Sequence, residues 1–493
     1  MSASKPQESS EVRFGHSLNK EEEEFVARRK NTVLQCLQKL NIHCSQDKVP
    51  NIALLGSGGG QRAMVALLEC LVQLDKAGLL DCILYLSGVS GSTWCMASLY
   101  QEPDWSTKLE TVKDRIIKRL SGPGVSWDDK SAKLKKYYMK DFFSLTDLWA
   151  VLFVTSYVKE IDEQTLTDQR DLHNEDPYPI YAVIDKQCKR SEEGDPWFEI
   201  SPHEAGYSLT GAFVETCNFG SQFDNGSKKK HQPEMDMLYL QGNKLCRRTA
   251  VACRESSKTF CSVLMFCLIC QCISLSPSSI DECYQELLNP VDADPSALEQ
   301  SSRTKLTECI CFIDLCRCIA QRIWGRNYNF LHNMTDESVP AALLQKETRD
   351  LIDAGLLINS PYFPVLRKER NIDLIIALDY SDGDPFTTVR EAAKTCKKLK
   401  IPFPEVNIPS EEGKKPKDFY VFKGQNVPTV IHIPLFNVVN CGGKPGDWRK
   451  KYGILKGPYS AEMITEVMGV AGKNISNNIE KLLEQIRAVA EAK

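Results

Sequence analysis

Ile83-Leu84-Tyr85-Leu86-Ser87-Gly88-Val89-Ser90-Gly91-Ser92-Thr93-Trp94, residues 83–94, sets a G-x-S-x-S turn between two different kinds of segment. The apolar run before it, Ile83 to Leu86, is of strand type, and Trp94 to Tyr100 after it has the composition to begin a helix. A strand, a tight turn and a helix follow one another. Glycines flanking a serine let the backbone take the strained turn that presents a hydroxyl at the carboxyl end of a strand, as in a nucleophile elbow. Ser90 is therefore the candidate nucleophile.

About thirty residues earlier stands Gly56-Ser57-Gly58-Gly59-Gly60, after the apolar run Ile52 to Leu55 and before a helix expected from about Gln61. A phosphate-cradling P-loop needs Lys-Ser or Lys-Thr after its last glycine, and here Gln61-Arg62-Ala63 follows. A dinucleotide fingerprint fits only as Gly58-x-Gly60-x-x-Ala63, and Ser87-Gly88 stands where its ribose-binding acid belongs. Both nucleotide readings weaken. Consecutive glycine amides at a helix N-terminus suit the oxyanion of an acyl transfer.

These two stretches closely resemble the catalytic domain of the cytosolic (group IV) phospholipases A2. Further matches are Trp197-Phe198-Glu199 with Gly211-Ala212-Phe213, Asn329-Phe330-Leu331, and Leu351-Ile352-Asp353-Ala354-Gly355-Leu356 with Asn359. Asp384-Pro385-Phe386, Ile401-Pro402-Phe403-Pro404 and Pro434-Leu435-Phe436-Asn437 before Cys441-Gly442-Gly443 complete the set, so the resemblance covers roughly residues 20 to 485. It is greatest to the type that lacks an amino-terminal C2 domain. The resemblance implies a central, mostly parallel α/β sheet flanked by helices, with a helical cap or lid insertion. It also implies a Ser-Asp dyad, with Ser90 as nucleophile, Asp353 as base, Gly59 and Gly60 as the oxyanion hole, and Arg62 as the arginine that holds the substrate phosphate. Asp353 lies in an otherwise apolar run, Leu351 to Ile358, and burial raises a carboxylate's proton affinity toward what a base needs. An aspartate that merely caps a turn before Gly355 is the bland alternative.

The order Ser90, Asp353, His432 also matches an α/β-hydrolase triad. His432 sits in an alternating strand-type run, Thr429 to Ile433, where a histidine is more often packed than catalytic. The dyad reading is preferred. The expected reaction is hydrolysis of a glycerophospholipid acyl ester through an acyl-serine, releasing fatty acid and lysophospholipid, with lysophospholipase and transacylase side reactions. A catalytically silent lipid-binding or scaffold protein of the same fold is the alternative. The joint presence of Ser90, Asp353, Arg62, Gly59 and Gly60 opposes it.

The 493 residues are 42% hydrophobic and 26% charged, with a net charge of −4. This is ordinary globular composition with no global attraction to nucleic acid or anionic membranes. No nucleic-acid or nucleotide partner is expected, and protein partners are not indicated. Basic clusters at 228–230, 397–400, 414–417 and 449–451 are candidate contacts with a phospholipid membrane surface. The polar first residues lack a signal core, and Ser2 replaces the glycine that myristoylation needs. A cytoplasmic protein with peripheral membrane association is expected. No cofactor or metal is expected. Calcium independence is expected too, since only about fifty residues precede the glycine loop and no EF-hand pattern occurs. Some relatives end in a prenylation box, but this chain ends Val489-Ala490-Glu491-Ala492-Lys493.

Half of the 20 cysteines fall between Cys253 and Cys318, and the nearly all-apolar run 260–273 is too short to span a bilayer. A core helix of the cap, a membrane-dipping lid palmitoylated at Cys267, Cys270 or Cys272, and zinc ligation are the three readings. In a cytosolic chain the thiols are expected reduced. Residues 1–19 read as a disordered polar tail and 20–493 as one catalytic domain, with the cap within about 105–330. Helices are expected at Glu21 to Leu40 and from Ile475, and strands at Leu374 to Leu378 and Thr429 to Ile433.

Overall fold

The computed structural model describes residues 11–170, 172–191, 194–243, 323–453 and 456–493. Its centre is five parallel strands: β2 (Ile52–Gly56), β3 (Tyr85–Gly88), β4 (Tyr178–Asp185), β12 (Leu374–Asp379) and β14 (Thr429–Pro434). They lie in the order β4-β3-β2-β12-β14. Numbering follows chain order, the remaining strands being β1 (Val12–Phe14), β5 (Trp197–Ile200), β6 (Glu204–Tyr207), β7 (Ala212–Glu215), β8 (Gln222–Asp224), β9 (Ser227–Lys230), β10 (Arg326–Tyr328), β11 (Thr348–Asp353) and β13 (Tyr420–Phe422). Antiparallel wings extend the centre: β5, β6, β7 and β1 continue beyond β4, β13 closes the far edge, and β11 with β10 also joins β4. Among the described residues the sheet has 12 strands and is mixed, with the expected parallel arrangement at its centre.

The central strands are buried on both faces, which is why they read as continuous apolar runs. Ile52, Leu54, Leu374, Ile376 and Leu378 point into one core, and Ala53, Leu55, Ile375 and Ala377 into the other. This is the two-residue period of a strand. Helix α2 (Gly60–Lys76) lies on the first face, buried from Gly60 to Val72, because the helix Ala461–Ser476 covers its outer side. Helix α3 (Gly91–Tyr100) packs beside it. The helix Thr387–Leu399 contributes Val389, Ala392 and Cys396 to the opposite core.

Helix α1 (Lys20–Lys39) matches its expected span, with Asn19 Oδ1 accepting the Glu21 amide at 2.8 Å. The tail expected over 1–19 is docked from Val12 onward, where β1 pairs with β7. Apolar Val12 is buried there, so a polar tail is not the state of residues 12–14. The interval 105–330 expected to hold the cap divides. Helices occupy Leu109–Ser121 and Trp127–Tyr138, whereas 178–215 returns to the sheet as β4 to β7. The last helix, expected from about Ile475, runs Ile479–Ala492, and a separate helix, Ala461–Ser476, precedes it across Asn477-Asn478. The apolar run 260–273 and the cysteines of 253–318 lie outside the described residues.

Candidate active site

Ser90 follows β3 with φ +53° and ψ −121°, a conformation that a non-glycine residue rarely holds. The strained elbow expected from G-x-S-x-S is present. Gly91 makes it possible, because a Cβ there would lie 1.8 Å from the Gly60 carbonyl oxygen. The elbow and the glycine loop are thus in backbone contact. Ser92 ties them further, donating its hydroxyl to the Ser57 carbonyl at 2.7 Å.

In the glycine loop, the amides of Ser57 and Gly58 are engaged by the carbonyls of Leu378 (3.1 Å) and Asn359 (2.9 Å). Gly59 is the N-cap of α2 and Gly60, at φ +57°, its first residue. Amides at this position have no carbonyl one turn earlier to bond, so they are oriented donors at the positive end of a helix. A Cβ on Gly58 would stand 3.1 Å from the Ser90 Cβ, which puts the loop directly against Ser90.

Asp353 reaches the same place from another direction. Residues 178–181 of β4 pair with β3 and residues 183–185 pair with β11, while β5 occupies the other edge of β4 over 181–184. Strands β3 and β11 therefore lie end to end along one edge of β4, running toward each other. Gly88 stands opposite Tyr181 and Asp353 opposite Val183, so both carboxyl ends meet within two residues of β4. Ser90 and Asp353 are buried there, at 3% and 1% exposure. One oxygen of Asp353 accepts the Gly355 amide at 2.8 Å, so the residue also caps its turn.

Arg62, on the first turn of α2, is fully buried. Its Nε and Nη2 donate to the Tyr380 carbonyl at 2.9 and 2.6 Å, and Nη1 donates to the Tyr452 carbonyl. These partners are neutral, so they orient the guanidinium without cancelling its charge. A Cβ on Gly59 would be 3.3 Å from Nη2, which sets this cation beside the glycine amides.

His432 is elsewhere. It sits on β14, three strand spacings from β3, or about 14 Å across the sheet. Its Nε2 meets the Pro385 carbonyl at 2.9 Å, its ring packs on Phe386, and burial pushes its pKa down. It is a packed residue, as the strand context indicates. No group of three metal-ligating side chains occurs among the described residues, and none of the described helices is long and apolar enough to cross a membrane. The roles of Ser57, Ser92 and Asn359 were not legible in the sequence. Only the proximity of Ser57 and Ser92 to glycines distinguished them from other serines.

A positive-φ serine against a glycine-lined helix terminus, on the carboxyl edge of an α/β sheet, is the architecture of a serine-type hydrolase. The family profile of the lysophospholipase catalytic domain matches residues 52–390. Cytosolic phospholipase A2 gamma of Homo sapiens is 31% identical, over 98% of this chain and 97% of that protein. The mouse (Mus musculus) protein of the same name is 30% identical, over 96% and 92%. The solved structure of human GIVD cytosolic phospholipase A2 superposes with a TM-score of 0.75 at 22% identity, covering 99% of this chain and 69% of that one. The chain belongs to the lysophospholipase catalytic domain family, among the cytosolic phospholipases A2.

Proposed function

We propose that the chain hydrolyses fatty-acyl esters of glycerophospholipids through an acyl-serine formed on Ser90. The observation that carries this reading is the meeting of the Ser90 elbow, the Gly59-Gly60 helix terminus and the carboxyl end of β11 at Asp353. Asp353 takes the Ser90 proton as Oγ attacks the ester carbonyl. The carbonyl oxygen becomes an oxyanion held by the amides of Gly59 and Gly60. Collapse breaks the ester C–O bond, and Asp353 returns the proton to the departing lysophospholipid alkoxide. Water, deprotonated by Asp353, then attacks the acyl-serine carbonyl, and collapse releases the fatty acid as Asp353 returns that proton to Ser90 Oγ. Lysophospholipid or another alcohol in place of water gives transacylation by the same step.

Arg62 supplies positive charge beside the oxyanion and is the proposed partner of the substrate phosphate. The nucleophile, base and anion donors all come from the chain, which supports calcium-independent chemistry. A fluorophosphonate inhibitor is bound in one solved GIVD phospholipase A2 complex, which superposes with a TM-score of 0.70 at 24% identity. A long-chain fluorophosphonate incubated with this chain is expected to add one phosphonyl group, mapped by mass spectrometry to the Ser90 peptide. Modification elsewhere, with Ser90 unmodified, counts against the reading.

Peripheral membrane association is part of the proposal, and topology sorts its candidate surfaces. The helix Thr387–Leu399 runs back along the sheet from the carboxyl edge of β12, carrying Lys397, Lys398 and Lys400 to the end opposite Ser90. The loop after β14 is on the catalytic edge. Val439 is 53% exposed there, Lys444 and Lys450 are exposed, and the Tyr452 carbonyl of the same segment anchors Arg62. An exposed aliphatic side chain among lysines suits contact with an anionic bilayer surface.

A further inference from the structure

Asn359 lies outside the proposed chemistry, yet it meets the glycine loop, the segment after β12 and the turn after Asp353. Its backbone carbonyl accepts the Gly58 amide at 2.9 Å, and its side-chain Nδ2 donates to the Gly58 carbonyl at 3.0 Å. One residue thus holds both backbone polar groups of Gly58, the residue that precedes Gly59. The same Nδ2 donates to Ser381 Oγ at 2.8 Å. Ser381 follows Tyr380, whose carbonyl holds Arg62 and whose amide donates to Ser57 Oγ at 2.7 Å.

The other end of the carboxamide reaches the turn that follows Asp353. A Cβ on Gly58 would lie 2.5 Å from Asn359 Oδ1, and a Cβ on Gly355 would lie 2.8 Å from it. The carboxamide is wedged between two positions that have no side chain, and Gly355 is the residue whose amide holds the Asp353 carboxylate at 2.8 Å. A flexible glycine loop is a poor oxyanion hole unless something fixes it, since preorganisation is what makes its donors effective.

We infer that Asn359 is a positioning residue, a clamp that fixes the oxyanion glycines relative to Asp353 and to the Tyr380 carbonyl that orients Arg62. This rests on the acyl-hydrolase reading for its kinetic consequence, but its structural content is independent of it. Held donors act on the transition state more than on bound substrate, so the clamp governs kcat rather than KM.

The test compares parent, Asn359→Ala, Asn359→Asp and Ser381→Ala, each full length. Active sites are counted by exhaustive fluorophosphonate titration, turnover is measured on a monomeric lysophospholipid, and hydrogen exchange is followed by mass spectrometry. Asn359→Ala is expected to lower kcat per active site by on the order of 10²-fold with KM within about threefold. Exchange should quicken across residues 57–60 and not across β2. Asn359→Asp keeps the shape but not the donor, and is expected to behave like the alanine variant; Ser381→Ala, which removes one of two acceptors, is expected to lose less. Parental kcat per active site in Asn359→Ala overturns the inference, as does parental activity in Asn359→Asp. An inactive parent refutes the acyl-hydrolase reading alone; unchanged exchange at 57–60 in Asn359→Ala then overturns the clamp as well.

Discussion

Ser90 and Asp353 stand at the carboxyl ends of two strands that meet head to head on the same edge of β4, opposite Tyr181 and Val183. Strand β3, parallel to β4, brings Ser90 to this point, and β11, antiparallel to β4, brings Asp353 to it from the other direction. Under the proposed dyad the two residues divide the proton transfer. Asp353→Asn is therefore expected to remain folded and to lose on the order of 10⁴-fold or more in kcat. His432→Asn is expected to keep kcat per active site within about tenfold while lowering the melting temperature, because His432 is fully buried. Assays normalised by active-site titration separate the two, and a larger loss from His432→Asn supports a triad.

The contact between elbow and glycine loop leaves no room for a methyl group. Gly91→Ala places a Cβ 1.8 Å from the Gly60 carbonyl oxygen. Backbone must move, so destabilisation by more than about 2 kcal/mol and loss of titratable sites are expected. Gly469→Ala is the control, in the helix Ala461–Ser476 with no atom within 4 Å of its Cβ. It is expected to gain up to about 1 kcal/mol from helix propensity. Thermal or denaturant unfolding reads both.

Much of this was visible in the residues. The strand-turn-helix units around Ser90 and the glycine loop were legible because their apolar runs are long, buried on both faces and punctuated by glycine. Strands β5 to β7 were not. Each is four residues long, and β5 and β6 carry Glu199 and Glu204 fully inside. A buried glutamate in a short strand makes sense only with its partners. Those are Arg367 and Arg370 for Glu199, and Arg13 for Glu204, all more than 160 residues away. The proximity of Ser90 to Asp353 was implied by the family resemblance alone, because end-to-end strand pairing leaves no local pattern.

That ion network predicts the acid limit of the fold. Burial pushes the Glu199 carboxyl up, but the guanidiniums of Arg370 and Arg367 outweigh it and hold its pKa at about 2, below the ordinary 4.5. A depressed folded-state pKa gives stability that is present above the unfolded value and lost as pH falls through the folded one. Glu199 thus contributes on the order of 3 kcal/mol that disappears between about pH 4.5 and 2. Glu199→Gln, which leaves two buried arginines short of their counter-charge, is expected to cost about 3–5 kcal/mol at pH 7. Its stability deficit relative to the parent should shrink on acidification through that window. A deficit constant down to pH 2 contradicts the assignment.

Contact with a bilayer through the loop after β14 makes a separable prediction. Val439→Asp with Lys450→Glu is expected to weaken sedimentation with anionic vesicles and to lower vesicle hydrolysis at least tenfold. Turnover of a monomeric lysophospholipid should stay within about twofold. Equal losses on both substrates show that the loop acts on chemistry instead. Lys398→Glu, at the opposite end of the sheet, is expected to change neither.

The most direct measurement is fatty-acid release from phospholipid vesicles in the presence of a calcium chelator, comparing the parent chain with Ser90→Ala. Sustained release by the parent and none above background by the variant are expected, at equal folded concentration. No release by the parent, or equal release by Ser90→Ala, contradicts hydrolysis through Ser90.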